Sequence, residues 1–261
     1  MTKNVKKLLM HAIPFASSLW LTCGISAWAN AENSRSKHPV VIELFTSEGC
    51  SSCPSADSYL ASLPELSLKS GEIITISEHV DYWNYLGWTD PFSSDVYTER
   101  QRQYARALNQ SGLYTPEMVI NGKQGLVGSD STAALYALKN LSAETTKLLQ
   151  LKAYISADNR KVSVELNSPG VILTSSDQLV IFITEDKLSV QVRSGENAGR
   201  TLQHTNVARA IKVLDKLPPT TLSIPASVRN PRTLKAVVII QNKQTMAITA
   251  AGATVVLNTG K

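Results

Sequence analysis

The sequence predicts an α/β fold followed by a mostly antiparallel, sandwich-like β region. Two observations carry this. Buried-strand patterns alternate with helical patterns from Val40 to about residue 147, and beyond that point short alternating strands dominate, punctuated by Pro, Gly and Asn. The implied organisation is 1–31 as a leader, 32–39 as a mobile polar segment, 40–147 as the α/β domain and 148–261 as the β-rich part. The two parts form either separate domains or one packed unit.

The leader comes first. Lys3, Lys6 and Lys7 precede an apolar run over residues 8–28, and Ala29-Asn30-Ala31 supplies small residues ahead of Glu32. That order is a secretory signal peptide with an A-x-A cleavage site. Cleavage is expected after Ala31, with Ala29 as the alternative, and the protein is expected to be periplasmic or extracellular. A retained anchor fits less well, because Pro14 and several Ser and Thr interrupt a run already short for about 30 Å of hydrocarbon. No stable membrane insertion is therefore expected after cleavage. The leader holds three of the 26 basic residues and no acidic one, so the exported chain carries 23 basic against 21 acidic groups. A charge so close to balance gives no argument for a nucleic-acid partner.

Val40-Val41-Ile42-Glu43-Leu44-Phe45 reads as a buried strand running into the polar turn Thr46-Ser47-Glu48-Gly49. Ala56, Tyr59, Leu60 and Leu63 then make one helical face, with Pro54 in the first turn and Pro64 as the stop. Ile73, Ile74 and Ile76 form the next strand. A helix over residues 94–109 is expected to turn Tyr97, Tyr104, Ala105 and Leu108 inward and its Arg and Gln outward, with Gly112 breaking it. Met118-Val119-Ile120, the Asn121-Gly122 turn and residues 125–128 read as a hairpin. Ser129 or Asp130 is placed to cap a helix with Leu135, Leu138 and Leu141 inside. The β-rich part begins with residues 151–155 and 162–166 around the Asp158-Asn159 turn. It continues through 179–184, 207–214, 234–240 and 246–256.

Once Cys23 leaves with the leader, two cysteines remain, in Cys50-Ser51-Ser52-Cys53. Exported proteins that use disulfides as staples usually bridge distant segments. A four-residue loop is worth about 2 kcal/mol by chain entropy, against ~4.7 kcal/mol for a 100-residue loop. The spacing therefore points to reactivity rather than stability. At a helix N-terminus the first cysteine gains from unpaired N–H groups and the helix dipole, so Cys50 is the expected nucleophile and Cys53 the resolving thiol. The alternatives are a labile metal site and an inert pair.

The element order is strand–helix–strand–helix–strand–strand–helix, with CxxC at the first strand-to-helix junction. That is the order of a thioredoxin fold. In such folds a cis-proline faces the disulfide, and Thr115-Pro116 stands at that place, with the Thr115 backbone offered to an extended substrate. A trans turn proline is the alternative. Glu43 lies near the position of a buried proton-transferring carboxylate, with an edge-exposed or salt-bridged glutamate as its alternative. His79, Tyr82, Trp83 and neighbouring aromatics should emerge at the strand ends beside the CxxC, either to grip a substrate or as a small satellite core. The segment Gly195–Arg200 is expected to fold over the site, with Arg200 steering an acidic substrate or the thiolate, or to be a structural turn in which Asn197 and Glu196 satisfy backbone groups.

The stretch Glu43-Leu44-Phe45-Thr46-Ser47-Glu48-Gly49-Cys50-Ser51-Ser52-Cys53-Pro54 resembles the signature of a secreted, thioredoxin-like family catalogued as domain of unknown function 1223. His79-Val80-Asp81-Tyr82-Trp83-Asn84, Tyr114-Thr115-Pro116-Glu117 and Gly195-Glu196-Asn197-Ala198-Gly199-Arg200 are similar to it as well. The resemblance implies the fold and a redox motif but no substrate. Ser51-Ser52 between the cysteines and Pro54 after them differ from thioredoxin itself, which leaves the redox potential open. The leading expectation is a thiol–disulfide oxidoreductase acting on protein or small-molecule thiols and disulfides, needing no cofactor beyond its own disulfide. A soft-metal protein holding Cu(I) through Cys50, Cys53 and His79 is the second reading. A non-catalytic adaptor is the third.

Overall fold

The computed structural model describes residues 38–66, 71–141, 146–217, 219–225 and 227–258. The leader over 1–31 and most of the polar segment over 32–39 lie outside the described residues. The first strand, β1 (Val40–Thr46), is buried along its whole length. It pairs in parallel with β2 (Ile73–His79), Val40 opposite Ile73 and Thr46 opposite His79. On its other edge it pairs antiparallel with β3 (Glu117–Ile120), which returns as β4 (Gln124–Val127). The intervening turn places Asn121 and Gly122 at φ 49 and 65. Asn121 Oδ1 also accepts the Val41 amide at 2.8 Å. A Cβ on Gly122 would fall 2.0 Å from the Met246 carbonyl oxygen, so only glycine fits there.

Strand periodicity divides β1 between two cores. Val40, Ile42 and Leu44 meet Ala56 and Leu60 of α1 (Cys53–Ser62), Leu63 just after it, and Ala134, Ala137 and Leu138 of α3 (Ser131–Lys139). Asp130 caps α3 by accepting from Ala133 N at 2.9 Å, a contact of the kind worth about 1 kcal/mol. The inner face of α3 differs from the expected one: Ala134 and Ala137 are buried while Leu135 is only half-buried. The opposite face of β1 carries Val41, Glu43 and Phe45 and meets α2 (Asp95–Ala107) through Tyr97 and Tyr104. Here the structure corrects the expectation that every Arg and Gln of α2 points outward. Arg100 and Gln101 are buried, because Glu43, Glu78 and Glu117 on the strands beneath offer them carboxylates.

The same sheet continues into the C-terminal segment. β2 meets the start of β11 (Val207–Leu214) at Ser77 and Val207. From there β8 (Asp177–Glu185), β13 (Leu234–Asn242) and β14 (Ile248–Asn258) add antiparallel strands. The far end of β14 pairs in parallel with β6 (Leu151–Ile155), which continues antiparallel into β7 (Lys161–Leu166) and β12 (Pro219–Ser223). Short β5 (Lys147–Leu148) lies beside β14. The result is a mixed α/β architecture with one 12-stranded, mostly antiparallel sheet. The described residues form one compact unit.

The alternation in β8 shows how the sheet closes. Leu179, Ile181 and Ile183 share a core with Ala153, Ile155, Val162, Val164 and Leu222, so β6, β7 and β12 fold back over one face of β8 and β13. Val180 and Phe182 turn the other way, toward Tyr97 of α2. Apart from this sheet, β9 (Leu188–Gln191) and β10 (Thr201–His204) make a two-stranded hairpin whose long loop reaches the start of α1.

Candidate functional site

The motif sits where β1 hands over to α1. Cys50 N donates to the Ser47 carbonyl at 3.2 Å and Cys53 N to the Cys50 carbonyl at 3.2 Å, a tight turn that brings the two sulfurs together as a disulfide. Ser52 precedes the first helical residue without a side-chain cap, and Pro54 occupies the first turn. Ser51 and Ser52 are exposed, yet Cys50 is only 1% exposed and Cys53 fully buried.

Two segments flank the motif. The first is the β9–β10 loop. Asn197, itself fully buried, donates both amide protons to the Glu48 carbonyl at 2.8 Å and the Cys50 carbonyl at 2.9 Å. Glu196 Oε2 accepts from Ser51 N at 3.0 Å. Arg200 donates to Asn197 Oδ1 at 2.8 Å and so helps hold the loop. The second is the segment after β2. The Trp83 Cβ approaches Gly49 so closely that a Cβ there would lie 3.0 Å from it, and Trp83 Nε1 donates to Thr115 Oγ1 at 2.8 Å. Tyr82 lies further back, donating to Gln101 Oε1 at 3.1 Å, and burial pushes its phenol up to about 12.

The Thr115-Pro116 bond is cis. The proline accepts from Gly128 N at 2.8 Å through its carbonyl. A Cβ on Gly128 would lie 3.3 Å from both Pro116 Cβ and Ala56 Cβ, so Pro116 packs close to α1 one turn past Cys53. Cys50, Cys53, Trp83, Thr115 and Pro116 are thus brought together.

Glu43 is not. It lies on the α2 face of β1, opposite the face that meets α1. There it accepts from Arg100 Nε at 2.6 Å and from the Tyr104 hydroxyl. Its place is the salt-bridged alternative. Arg100 also donates to Gln241 Oε1 at 3.1 Å and lies 3.6 Å from Glu78. Burial raises the Glu78 carboxyl well above its usual value, with Glu43 pushing the same way and Arg100 opposing.

His79 ends β2 beside Thr46, at the same sheet edge as the motif, but its Nδ1 is taken by Asp90 Oδ2 at 2.7 Å. Burial acts to lower this imidazole, but the Asp90 carboxylate, with Asp57 and Glu48 acting the same way, leaves it raised. Asp90 answers in the opposite sense. Burial would lift it, but His79 and the amides of Glu48 (2.8 Å) and Phe92 (2.9 Å) hold it below the usual carboxylate range. Among the described residues no group of three or more His, Cys, Asp or Glu side chains is arranged to hold a metal ion.

Sequence reasoning missed four residues of this neighbourhood: Glu48, Asp57, Asp90 and His204. Glu48 is buried and bonds Trp88 Nε1 at 2.7 Å and His204 Nε2 at 3.0 Å. Asp57 is buried one turn after Cys53 on α1. The available signal was a charged residue on the apolar side of a helix: Asp57 follows Ala56 and stands three before Leu60. No sequence spacing connects His204 with this site, because the β9–β10 hairpin brings it there from far along the chain.

The family described as "Protein of unknown function (DUF1223)" matches residues 41–241, which span from β1 into β13 and include both the CxxC and the 194–200 loop. Among solved structures, this chain is similar to an X-ray crystal structure of a protein from Agrobacterium tumefaciens. The two share 28% identity and a TM-score of 0.60, over 85% of this chain and 96% of that one. Its fold is also similar to that of HBP35 of Porphyromonas gingivalis, with a TM-score of 0.60 at 13% identity over 86% of this chain and 78% of the other. No curated protein matches the chain.

Proposed function

The chain belongs to the DUF1223 family, and we propose that it is an exported thiol–disulfide oxidoreductase with a thioredoxin-like N-terminal half. The observation that carries this reading is the Cys50–Cys53 disulfide at the junction of β1 and α1. The order of elements from β1 to α3 and the place of Pro116 beside α1 support the thioredoxin-like assignment. The basic leader and the Ala29-Asn30-Ala31 site support export to the periplasm or beyond.

In this mechanism a substrate thiolate attacks Cys50 Sγ and forms a mixed disulfide, while Cys53 leaves as the thiolate. A second substrate thiol then attacks the substrate sulfur of that mixed disulfide and releases Cys50. Two electrons pass from the substrate dithiol to the protein. Run backwards, the same steps reduce a substrate disulfide. The helix N-terminus favours the Cys50 anion, and the Thr115 backbone beside Trp83 offers a strand-like surface to an extended substrate. Partners of this chemistry are protein or small-molecule thiols and disulfides.

A trapping experiment assigns the two roles. Cys53→Ser is expected to accumulate one glutathione on Cys50 when treated with glutathione disulfide. Cys50→Ser, left with only the buried Cys53, should react about tenfold more slowly or less. Intact-mass analysis reads both. Labelling of Cys53 in preference to Cys50, or of neither, contradicts the assignment.

A further inference from the structure

Behind the disulfide lies a group of buried titratable side chains that the exchange steps above leave unused. Asp57 comes from α1, Glu48 from the turn after β1, His79 from the end of β2, Asp90 from the segment before α2, and His204 from β10. His204 links the group: its Nε2 lies 3.0 Å from Glu48 Oε1, and its Nδ1 lies 3.9 Å from Asp57 Oδ2. The His79 and His204 rings meet edge to face at 4.8 Å, with Phe92 against both. Asp57 Oδ1, His204 Nδ1, His79 Nε2 and Thr46 Oγ1 are all buried, and none makes a hydrogen bond of ordinary geometry. A buried polar atom short of a well-formed hydrogen bond works against folding, so four in one place call for an explanation in function.

The two aspartates of the group differ sharply. Asp90 is tied to a raised imidazole and two amides and stays ionised. Burial raises Asp57, opposed only in part by His204, His79 and the Thr46 hydroxyl. Two carboxyls pushed apart in this way are suited to different tasks, one fixed in charge and one free to exchange a proton. The helix places Asp57 within reach of the chemistry. Residues four apart on α1 have Cβ atoms about 5–6 Å from each other, and a helical side chain leans back over the preceding turn, which here carries Cys53.

We propose that Asp57 takes the proton of Cys53 when the disulfide closes and returns it when the disulfide opens, with His204 positioning the carboxyl and Glu48 fixing the imidazole. The proposal rests on the thiol-exchange reading. In the closing step, the Cys53 S–H bond breaks and its proton passes to the Asp57 carboxylate. The Cys53 sulfur attacks the Cys50 sulfur of the mixed disulfide, and the bond from Cys50 to the substrate sulfur breaks. The substrate leaves as a thiolate, so one negative charge stands on each side of the step. Cys53 is oxidised and the substrate sulfur reduced.

The test mixes reduced protein with excess glutathione disulfide and quenches with acid at intervals, resolving reduced, glutathionylated and closed forms by mass. At saturating disulfide the Cys53 step limits closing. Asp57→Asn should slow that step about 10²-fold near pH 6–7, at the lower end of what a positioned general base contributes. The deficit should shrink as pH rises past about 8.5, where a free thiol ionises unaided. The first step, at Cys50, should be unchanged. His204→Gln supplies an independent readout that does not depend on how Asp57→Asn folds. Without the imidazole that helps lower Asp57, the pH midpoint for closing should move upward. A purely structural role for Asp57 would slow closing equally at every pH. That result, wild-type closing by Asp57→Asn, or an unmoved midpoint in His204→Gln overturns the proposal. In each of these cases wild-type exchange stands, so the oxidoreductase reading survives. A wild-type protein that forms no mixed disulfide at all overturns both.

Discussion

Arg100→Leu should destabilise the protein by about 3–5 kcal/mol, the range seen when one partner of a buried ion pair is removed. The guanidinium is 3% exposed and touches Glu43, Gln241 and Tyr104, with Glu78 3.6 Å away. Leucine fills much of the volume but leaves two carboxylates facing one another without a cation. The pH dependence carries a definite sign. Glu78 is already raised by burial and by Glu43, and Arg100 is the group that pulls it down. In the variant that pull is gone, so the folded state holds the Glu78 proton still more tightly than the unfolded chain does. A folded state that binds more protons loses stability as pH rises through the interval between the two pKa values. The deficit should therefore be smallest near pH 4.5, the ordinary value of such a carboxyl, and grow above it. Denaturant midpoints at pH 4.5 and 7.5 check this. A change below about 1 kcal/mol, typical of an exposed pair, would contradict the buried network.

Asn197→Ala should open the motif to solvent. The disulfide is almost wholly buried although Ser51 and Ser52 beside it are exposed, and Asn197 fastens the 194–200 loop to the carbonyls of Glu48 and Cys50. Two hydrogen bonds at about 1 kcal/mol each amount to ~2 kcal/mol. If reduction proceeds through a locally opened loop, removing them raises the open population about 30-fold, at 1.4 kcal/mol per factor of ten. The rate of reduction by dithiothreitol should rise by about that factor, with the global unfolding midpoint much less affected. An unchanged rate would mean that reductants reach Cys50 without moving this loop.

How much of this was legible in the sequence depends on the range of each interaction. The positions of β1 and the helices read correctly because their signals are local: a continuous apolar run, Pro54 in a first turn, Asp130 as a cap, Asn121-Gly122 as a turn. The outward placing held for Arg102 and Arg106 but failed for Arg100, which helical periodicity ranks as polar like the others. What buries it is the set of carboxylates on β1 and β2, which no window around residue 100 contains. Glu43 was noticed for the right reason, an acid inside a buried strand, but the face it points to depends on where α1 and α2 pack. The β9–β10 hairpin, with strands of four residues each, gave too short a pattern to read. With it went His204 and the link between Asp57 and Glu48. Asn197 and Glu196 were legible as turn residues that satisfy backbone groups, but that one of those groups is the Cys50 carbonyl, 147 positions away, is a contact no local window contains.

The central claim is that Cys50 and Cys53 form a working redox couple and not a staple. The direct test is a glutathione redox titration of the purified protein, with Cys50→Ala as the control that forms no internal disulfide. A single two-electron transition between about −120 and −270 mV, the span of known thiol oxidants and reductants, is the expected result. A midpoint below about −300 mV is that of an inert structural bridge and would contradict it.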